Sequence, residues 1–533
     1  MILLSPTGWR AASGAATSVS ELVRHRSERG CDDVYLESAR GGRMVTYGEL
    51  HRVVARWGSV FEELDIGPGT VVGLALSDPV DLALMFLAVL ASGRTVAPLD
   101  HSATDGELVA ACTRTAPMVV ISDRTGPSGA PTDWLTTAPG ACPLPATRSA
   151  ERTARDAGGR SGGRRTCANP DAATGGAAGV VLSTSGTTGV PKVIRLDEAR
   201  LLHTACAVAG HFELAPFDRC FNALPLFHIN AEVVGLLATL VSGGTIVLDD
   251  RFHRRGFWSV VAHHRVTWIN AVPAILARLA VLEAGERVPD GIRFARSASA
   301  PLPVPVLERF ERVTGIPVVE TYGMTEAASQ ITANPLAGRR RPGSVGLPVG
   351  CEVRVVDGSG APGAPGEVGR VGIRGPGVIS AYSSPGHADR VDPAGWLDTG
   401  DLGYRDADGY LFLVGRADDV INRGGEKVYP KEVEDVVFAE PAVRSVAVVG
   451  RDHEVLGQVP VAYLILDGVE SEDDESLAAA LVDRIQRNCT RLLSRTKWPA
   501  EYHVVDRFPQ GATGKVRRGA LSGTPTVFSV LSP

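Results

Sequence analysis

Helical and strand-like patterns of apolar residues alternate along the first hundred residues. Apolar side chains recur at helical spacing in Ser20–Ser27, Thr46–Leu64 and Val80–Ala91, and short runs rich in β-branched residues lie at Val71–Leu76 and Thr95–Leu99. This alternation is typical of a parallel sheet whose strands are joined by helices. It predicts an α/β unit for this part of the chain.

The alternation returns near residue 180 and predicts a second α/β unit. Strand-like runs lie at Val180–Leu182, Thr245–Leu248, Val266–Ile269 and Val318–Val319, and helical patterns lie at Glu232–Val241, Ala274–Ala284 and Pro303–Val313. Between the two units, residues 138–178 are dominated by Ala, Gly, Arg, Thr and Pro and carry almost no large apolar side chain. We expect this segment to be a mobile surface insertion.

The pattern changes twice in the last third of the chain. Residues 343–415 are rich in glycine and β-branched residues, which indicates an antiparallel or barrel-like appendage. After Gly415 and Arg416, helical and strand patterns mix, with helices expected at Pro430–Ala439 and Glu475–Leu493 and strands at Ser445–Gly450 and Val459–Leu466. We predict a large N-terminal domain over residues 1–417, made of α/β sheets and a β-rich subdomain, and a small mobile α+β domain over 418–533.

Composition limits the possible partners. The net charge of −6 over 533 residues provides no broad positive field, so nucleic acid is not an expected partner. The eight cysteines form no Cys-x-x-Cys pair, which indicates free thiols rather than a zinc site. The N-terminus lacks a basic segment, and the longest apolar run, Leu82–Ala91, is about half the length that spans a bilayer. We expect a cytoplasmic protein without a membrane partner.

Lysine is rare in this chain, and two of the lysines occupy suggestive positions. Only five of the 54 basic residues are Lys, and two of these, Lys192 and Lys515, close the glycine-containing loops 183–192 and 511–515. The first loop follows a predicted strand and combines glycines with Ser and Thr hydroxyls, so it can surround a phosphate with donors. Neither loop matches the Gly-x-x-x-x-Gly-Lys-Ser/Thr pattern of a Walker A site.

Three further segments follow the first loop in order. They are Glu320–Glu326 (ETYGMTE), Gly395–Asp401 (GWLDTGD) and Gly415–Ile421 (GRADDVI). With the two lysine loops, they resemble the core motifs of the adenylate-forming superfamily, in its branch of AMP-forming acyl- and aryl-CoA synthetases. The resemblance begins at Thr46–Leu50. Any single motif is weak evidence, but five in this order are specific, and the resemblance covers nearly the whole chain.

The resemblance implies ATP, Mg²⁺ and CoA as ligands and a defined nucleotide site. It assigns the β- and γ-phosphates to Thr184, Ser185, Gly186, Thr187, Thr188, Gly189 and Lys192. It places Tyr322 against adenine with Ser299, Ala300, Glu320 and Thr321 nearby, Thr325 at the α-phosphate and Glu326 at Mg²⁺. It places Asp401 at the ribose hydroxyls and Arg416 at the ribose or a phosphate. Lys515 is implied to bridge the substrate carboxylate and the α-phosphate.

The resemblance also implies a second catalytic stage. Asp418 matches the residue about which the C-terminal domain rotates, and Gly424 and Gly425 match the face that then admits the pantetheine arm. His228 matches the gate of CoA-forming members. Ile229 stands where amino-acid-activating domains carry Asp, so an α-amino acid is not expected as the substrate.

The acyl pocket and several departures from the family pattern complete the interpretation. The expected pocket residues are small, apolar and amide side chains that do not name an acid: Asn230, Ala231, Val234, Trp268, Asn270, Ser297, Ser299 and Ala300. Val193 replaces a usual Gly, and Asp197 and Glu198 replace a usual Ser/Thr-His pair. The Arg and Ala bias suggests a high-GC bacterium and an enzyme of specialised metabolism.

We therefore predict an enzyme that activates a carboxylic acid as its acyl-adenylate and then forms the CoA thioester, releasing pyrophosphate and AMP. Two alternatives remain at this point. The enzyme could perform only the thioester half-reaction on a preformed adenylate, or it could load an acyl carrier protein in place of CoA. The acid and the oligomeric state are not predicted.

Overall fold

The computed structural model describes residues 17–137, 177–184, 192–382, 390–469, 474–509 and 516–531. The predicted insertion up to residue 176, most of the first glycine loop and Lys515 lie outside these residues. The described part consists of two sheets with mostly parallel strands, an antiparallel four-stranded sheet and a smaller C-terminal mixed sheet. The α/β class, the β-rich subdomain and the smaller C-terminal unit are all as predicted.

The first two sheets and their helices extend to residue 348. The helices are α1 (Val19–Arg29), α2 (Tyr47–Glu63), α3 (Pro79–Ala91), α4 (Asp105–Thr115), α5 (Glu198–His211), a π-helix (Asn230–Leu237) continued by α6 (Ala238–Ser242), α7 (Phe257–His263), α8 (Pro273–Leu279) and α9 (Val304–Thr314). The strands are β1 (Val34–Ser38), β2 (Met44–Thr46), β3 (Val71–Ala75), β4 (Thr95–Pro98), β5 (Val119–Ser122), β6 (Asp133–Thr136), β7 (Gly179–Thr184), β8 (Lys192–Asp197), β9 (Arg219–Asn222), β10 (Thr245–Leu248), β11 (Trp268–Ala271), β12 (Phe294–Ser297), β13 (Val318–Tyr322), β14 (Thr332–Ala333) and β15 (Leu347–Pro348).

These strands form one nine-stranded and one six-stranded sheet. The order is β15-β14-β13-β12-β11-β9-β10-β1-β2 in the first and β6-β5-β3-β4-β7-β8 in the second. The strands from β13 to β1 run parallel in the nine-stranded sheet, as do those from β6 to β7 in the six-stranded sheet. The two predicted α/β units are therefore present as two largely parallel sheets.

The division between the two units was predicted wrongly. Strand β1 precedes every strand of the six-stranded sheet, yet it pairs with β10 of the nine-stranded one. Strand β7, predicted to begin the second unit, pairs with β4 of the first. The two sheets thus exchange strands, and the chain crosses between them twice.

Helix α3 is buried between these two sheets. Every residue from Val80 to Leu90 is buried, and all except Asp81, which pairs with Arg43, belong to a cluster that joins side chains of both sheets, such as Leu36 of β1 and Val72 of β3. A helix that is apolar on all sides is expected in such a central position. This core holds the two sheets together and fixes the carboxyl ends of their strands relative to each other.

The Thr46–Leu50 motif is explained by the start of α2. The Thr46 hydroxyl accepts a hydrogen bond from the Glu49 backbone, and the Glu49 carboxylate accepts one from the Thr46 backbone at 2.8 Å, which is a capping box. A side chain at Gly48 would lie 2.8 Å from the carbonyl oxygen of Cys31. The motif therefore has a structural role at the start of this helix.

Two predicted helices differ from the structure. The Glu232–Val241 segment is a π-helix from Asn230 that becomes α-helical only at Ala238. Helix α8 ends at Leu279 instead of Ala284, where the Arg254 side chain binds the carbonyl oxygens of Arg278 and Val281. π-helical turns are rare in proteins, and those that occur are often found at functional sites. The π-helix therefore makes its first residue, Asn230, a candidate site residue.

The last third of the chain forms the β-rich subdomain and the C-terminal unit. The strands are β16 (Glu352–Val356), β17 (Gly369–Arg374), β18 (Leu397–Arg405), β19 (Leu411–Arg416), β20 (Ile421–Arg423), β21 (Glu426–Val428), β22 (Val443–His453), β23 (Gly457–Leu466), β24 (Glu501–Val504) and β25 (Phe528–Leu531). The helices are α10 (Pro430–Phe438) and α11 (Glu475–Leu492). Strands β16 to β19 are antiparallel, as expected, and β20 to β25 form a mixed sheet.

Helix α10 connects the C-terminal unit to the rest of the protein. Its buried residues Val433 and Val437 pack into the C-terminal core with Leu464 and Ile485. Phe438, at its end, contacts this core and also the apolar cluster on one face of the nine-stranded sheet. A single helix therefore mediates part of the contact between the two regions.

Two composition-based expectations can be compared with the described residues. The six cysteines among them, Cys31, Cys112, Cys206, Cys220, Cys351 and Cys489, are all free thiols, as predicted. Within the same described ranges, none of the helices combines the length and the apolar character that crossing a membrane requires.

Candidate active site

The Tyr322–Glu326 segment forms a tight turn at the carboxyl end of β13. The backbone N–H of Ile331 donates to the carbonyl of Tyr322 at 2.8 Å, so the chain reverses within a few residues, and Ser329 adopts a left-handed φ of 93°. A Cβ atom at Gly323 would lie 1.3 Å from the carbonyl oxygen of Ser329. Only glycine permits this approach, which brings Thr325 and Glu326 to the end of the sheet.

Glu326 lies in a buried charged group at this turn. Its carboxylate accepts a hydrogen bond from the Tyr382 hydroxyl at 3.0 Å, and the ammonium of Lys192 lies 5.3 Å from the centre of the Tyr382 ring. Burial lowers the pKa of Lys192, and the nearby cations Arg390 and Arg416 lower it further, against the attraction of Glu326. Three cations are thus held close together, which suits a polyphosphate anion.

Asp401 is held between two of the predicted nucleotide-binding residues. Its carboxylate accepts hydrogen bonds from the hydroxyl of Tyr322 and, at 3.0 Å, from Arg416 Nη1. Arg416 also donates to the carbonyl oxygen of Thr399 at 3.0 Å, so it is fixed at two points. A carboxylate has about four acceptor positions, so Asp401 keeps capacity for further hydroxyl donors.

Glu320 and Thr321 lie on β13, directly before Tyr322. The Thr321 hydroxyl donates to the carbonyl oxygen of Ser297 at 3.0 Å and ties β13 to β12. The Glu320 carboxylate accepts one long hydrogen bond, 3.4 Å from the Leu302 backbone, and its other oxygen has no partner within the described ranges. Burial raises the pKa of Glu320 to about 7.

The expected hinge and the second face lie on the C-terminal side of this site. Asp418 is exposed in a 3₁₀ turn over Ala417–Asp419, directly after Arg416. Gly424 and Gly425 form the exposed turn between β20 and β21, with φ of 61° and 90°. Two consecutive positive φ values are the signature of a type I′ hairpin turn and explain the glycine pair.

The acyl-pocket residues predicted from the sequence lie beside a buried polar cluster. His228 immediately precedes Ile229 and the π-helix, and its ring packs against that of Phe227. Asn230, the first residue of the π-helix, donates through Nδ2 to the hydroxyl of Ser299 at 3.2 Å. Ser299 and Ala300 are exposed at the end of β12.

Arg296 lies at the centre of this cluster and was not predicted. Its guanidinium donates to the amide oxygens of Asn230 at 2.9 Å, Asn270 at 3.0 Å and Gln330 at 3.2 Å. Asn222 accepts a further hydrogen bond from Asn270 at 3.0 Å. The signal that could have identified these residues is an alternation in which Asn222, Asn270 and Arg296 each follow an apolar residue by two positions near the end of a strand.

The family-atypical residues Asp197 and Glu198 are explained by packing. Asp197 caps α5 by accepting a hydrogen bond from the Arg200 backbone at 2.9 Å. Glu198 accepts one from the Val19 backbone at 2.7 Å and anchors α1. Both side chains support the helix after the glycine loop, so neither is evidence for lost ATP chemistry.

Several predicted site residues lie outside the described part of the chain. Ser185, Gly186, Thr187, Thr188, Gly189 and Lys515 lie outside the described residues, and Thr184 is described only as the backbone partner of Lys192 in the β7–β8 hairpin. Arg517, two residues after Lys515, lies near Glu107, where it lowers the pKa of that carboxyl after the larger effect of hydrogen bonds from Thr104. Tyr382, which binds Glu326, was missed because an isolated tyrosine in a loop gives no pattern.

The residues present fit ATP and Mg²⁺. Glu326 offers the carboxylate oxygen ligand that Mg²⁺ prefers, oriented by the Tyr382 hydroxyl. Lys192, Arg390 and Arg416 supply positive charge for phosphates, and Asp401 supplies acceptors for sugar hydroxyls.

Comparison with known proteins identifies matching families over most of the chain. The family profile of the AMP-binding enzymes matches residues 23–383, and that of the AMP-binding enzyme C-terminal domain matches residues 432–515. The sulfoacetate–CoA ligase of Cupriavidus necator is 34% identical over 513 residues, covering 94% of this chain and 96% of that protein. The oxalate–CoA ligase of Arabidopsis thaliana is 32% identical over 509 residues, covering 90% and 93%.

Solved structures agree with these relatives. The o-succinylbenzoate CoA synthetase of Bacillus subtilis, in complex with its acyl-adenylate intermediate, superposes with a TM-score of 0.79 at 27% identity and covers 95% of this chain and 99% of its own. The same enzyme with ATP and magnesium ion gives a TM-score of 0.77, at 27% identity and coverage of 94% and 99%.

Proposed function

This chain belongs to the AMP-binding enzyme family and is a CoA ligase, and we propose that the residues gathered around Glu326 and Asp401 form its ATP site. The enzyme activates a carboxylic acid as the acyl-adenylate and then transfers the acyl group to CoA, with ATP, Mg²⁺ and CoA as its ligands. The relatives are full-length CoA ligases, so the half-reaction alternative has no support from them.

One observation carries the site assignment. The Asp401 carboxylate accepts hydrogen bonds from both Tyr322 and Arg416, so residues from two distant motifs meet at one anion. In our proposal Asp401 accepts the ribose hydroxyls, Tyr322 lies against the adenine, and Arg416 supports the ribose or a phosphate. Glu320, Thr321, Ser299 and Ala300 border the same site at the ends of β12 and β13.

The phosphate end lies at Lys192 and Glu326. We assign the β- and γ-phosphates to the loop from Thr184 to Lys192 and the α-phosphate to Thr325. Glu326 would hold Mg²⁺ there, and the bound ion would supply neutralisation of phosphate charge. Lys515 adds a positive charge between the carboxylate and the α-phosphate, where repulsion between anions otherwise prevents their approach.

The second half-reaction requires the C-terminal domain to move. We place the boundary between residues 417 and 418 and the hinge at Asp418, which lies in an exposed 3₁₀ turn next to Arg416. After rotation the Gly424–Gly425 turn faces the acyl-adenylate, and His228 gates the entry of the thiol. The acceptor is CoA in our proposal, and an acyl carrier protein is the alternative to be tested against it.

The relatives suggest which acids to test first. Sulfoacetate, oxalate and 2-succinylbenzoate each have a second acidic group besides the carboxylate that is activated. We propose that this enzyme also acts on a carboxylic acid of this general kind.

The test is pyrophosphate release with ATP, Mg²⁺ and these acids, with thioester formation measured separately with CoA and with a phosphopantetheinylated carrier protein. We expect release to depend on the acid and a thioester with CoA. Lys515→Ala is expected to lower pyrophosphate release by about three orders of magnitude while it spares thioester formation from a supplied acyl-adenylate.

Lys497→Ala is the matched control, because Lys497 is a C-terminal lysine that forms an ion pair with Glu432 and has no proposed role in catalysis. Equal loss of both half-reactions in Lys515→Ala would contradict the role of Lys515. Absence of pyrophosphate release with every acid would contradict the proposed function.

A further inference from the structure

One face of the nine-stranded sheet changes from apolar to polar at the carboxyl ends of three adjacent strands. Cys220, Trp268 and Phe294 are neighbours across β9, β11 and β12. Two residues later the neighbours on the same face are Asn222, Asn270 and Arg296. In α/β proteins ligands bind outside the carboxyl ends of parallel strands, so this polar row stands where a substrate is expected.

Arg296 is a buried cation with neutral partners. Its side chain is among the largest fully buried ones, with 1% of its surface exposed. Its hydrogen bonds go to the amide oxygens of Asn230, Asn270 and Gln330, and no ion pair of Arg296 with an acidic side chain is found among the described residues. Burial lowers the pKa of Arg296 to about 9, which leaves the guanidinium charged at neutral pH.

A charge in this setting needs an anion. Burying a charge is costly unless an opposite charge and hydrogen bonds compensate it, and amide dipoles compensate only in part. The hydrogen bond from Arg296 to the Gln330 amide oxygen fixes the orientation of this amide, so the amide nitrogen points away from Arg296 Nη2. That nitrogen, Nε2, is buried and has no acceptor within the described ranges. The cluster thus offers a cation and a free donor to an incoming acceptor.

The cluster is separated from the proposed reaction centre by a single amide group. Asn230 donates through Nδ2 to the exposed Ser299 and accepts through Oδ1 from the buried Arg296. Ser299 borders the proposed nucleotide site, and Asn230 follows the gate residue His228 by two positions. A group bound at Arg296 therefore lies only a few bonds from a carboxylate that reacts near Ser299.

We propose that the acid activated by this enzyme is a short acid with a second anionic group, a carboxylate or a sulfonate, and that Arg296 binds this second group. This inference rests on the proposed function, and it adds the residue that determines specificity. Arg296 recognises the anion through its charge and its remaining Nη2 hydrogen, since its other donors bind amide oxygens, and Gln330 Nε2 is an additional donor. A monoacid of the same length leaves the buried charge without an anion and is rejected.

The test compares acids matched in length. The value of kcat/KM is measured by pyrophosphate release for oxalate against acetate, sulfoacetate against propionate and succinate against butyrate. We expect the native enzyme to prefer at least one diacid over its monoacid partner by about 100-fold. In Arg296→Met the value for that diacid should fall by about 10- to 100-fold, while the value for the monoacid changes less than about threefold.

Two further variants separate recognition from folding. Gln330→Glu places a carboxylate beside Arg296, so we expect a higher melting temperature together with lower diacid activity. Arg94→Met is the matched control, because Arg94 is also buried, at 4% exposure, but binds the backbone carbonyl oxygens of Ile66 and Ser92. It can lower stability and should leave the diacid preference unchanged.

Calorimetric binding of sulfoacetate and of oxalate, in the presence of a non-hydrolysable ATP analogue, provides a readout that does not need turnover. Binding that is lost in Arg296→Met would support the inference even if no acid released pyrophosphate, in which case only the proposed function would fail. Equal use of diacids and monoacids, an unchanged preference in Arg296→Met, or no diacid binding to the native protein would each overturn it.

Discussion

Glu320 makes the stability of this protein depend on pH in a calculable way. It is 5% exposed on β13, with one long hydrogen bond from the Leu302 backbone. Burial raises the pKa of Glu320 from its usual value of 4.5 to about 7, against the weaker influence of Leu302 and Lys431. Between these two values the unfolded chain releases the proton of this carboxyl and the folded protein keeps it.

The difference between the folded and unfolded pKa of Glu320 determines how the free energy of unfolding changes with pH. A carboxyl whose pKa is raised by folding costs nothing below pH 4.5, and it destabilises the folded state progressively as the pH rises to 7. At about 1.4 kcal/mol for each pKa unit, the cost above pH 7 is at most about 3.5 kcal/mol. In Glu320→Gln the group cannot ionise, so this pH-dependent cost is removed, although the amide must still be buried.

The assay is urea unfolding of the native protein and of Glu320→Gln at several pH values from 5 to 8. We expect the variant to gain stability relative to the native protein as the pH rises, by about 2 to 3 kcal/mol over this range. Glu308→Gln, at an exposed position on α9, controls for the loss of one charge. A difference between Glu320→Gln and the native protein that is constant from pH 5 to 8 would refute the reasoning.

Two other predictions concern the turn after β13. Gly323→Ala should abolish pyrophosphate release and lower stability by more than about 3 kcal/mol, because its Cβ would collide with the Ser329 carbonyl; melting curves check this, with Gly106→Ala, where a Cβ meets nothing within 4 Å, as the control. Tyr382→Phe removes the hydrogen bond to Glu326 and should raise the Mg²⁺ concentration for half-maximal pyrophosphate release about fivefold. An unchanged Mg²⁺ dependence would exclude that role for Tyr382.

Local patterns predicted the class of the fold better than its connections. The alternation of helices and strands was visible along the chain, and most elements lie within a few residues of their expected positions. Which sheet receives β1 or β7 depends on long-range pairing, and neither strand carries a local sign of its partner. Within the β-rich region predicted over residues 343–415, strand β18 has a weak pattern of its own because it contains Gly400 and Gly403, and it is defined by its pairing with β17 and β19.

The site was predictable where its chemistry is written in contiguous motifs. Tyr322, Asp401 and Arg416 belong to three recognisable segments, and their side chains do meet. Tyr382 could not be found in this way, since its importance comes from its contact with Glu326 alone.

Two arginines, Arg296 and Arg94, are buried in this protein, and their hydrogen-bond partners distinguish their roles. Arg94 is buried almost as completely, and its described hydrogen bonds likewise go to uncharged groups. Arg94, however, binds backbone carbonyl oxygens whose positions are set by the fold, so its charge serves the packing around Ile66. Arg296 binds three side-chain amides at the ends of parallel strands, next to an exposed serine of the proposed nucleotide site. Burial alone therefore does not identify a binding residue; burial at the carboxyl end of the sheet, among adjustable polar side chains, does.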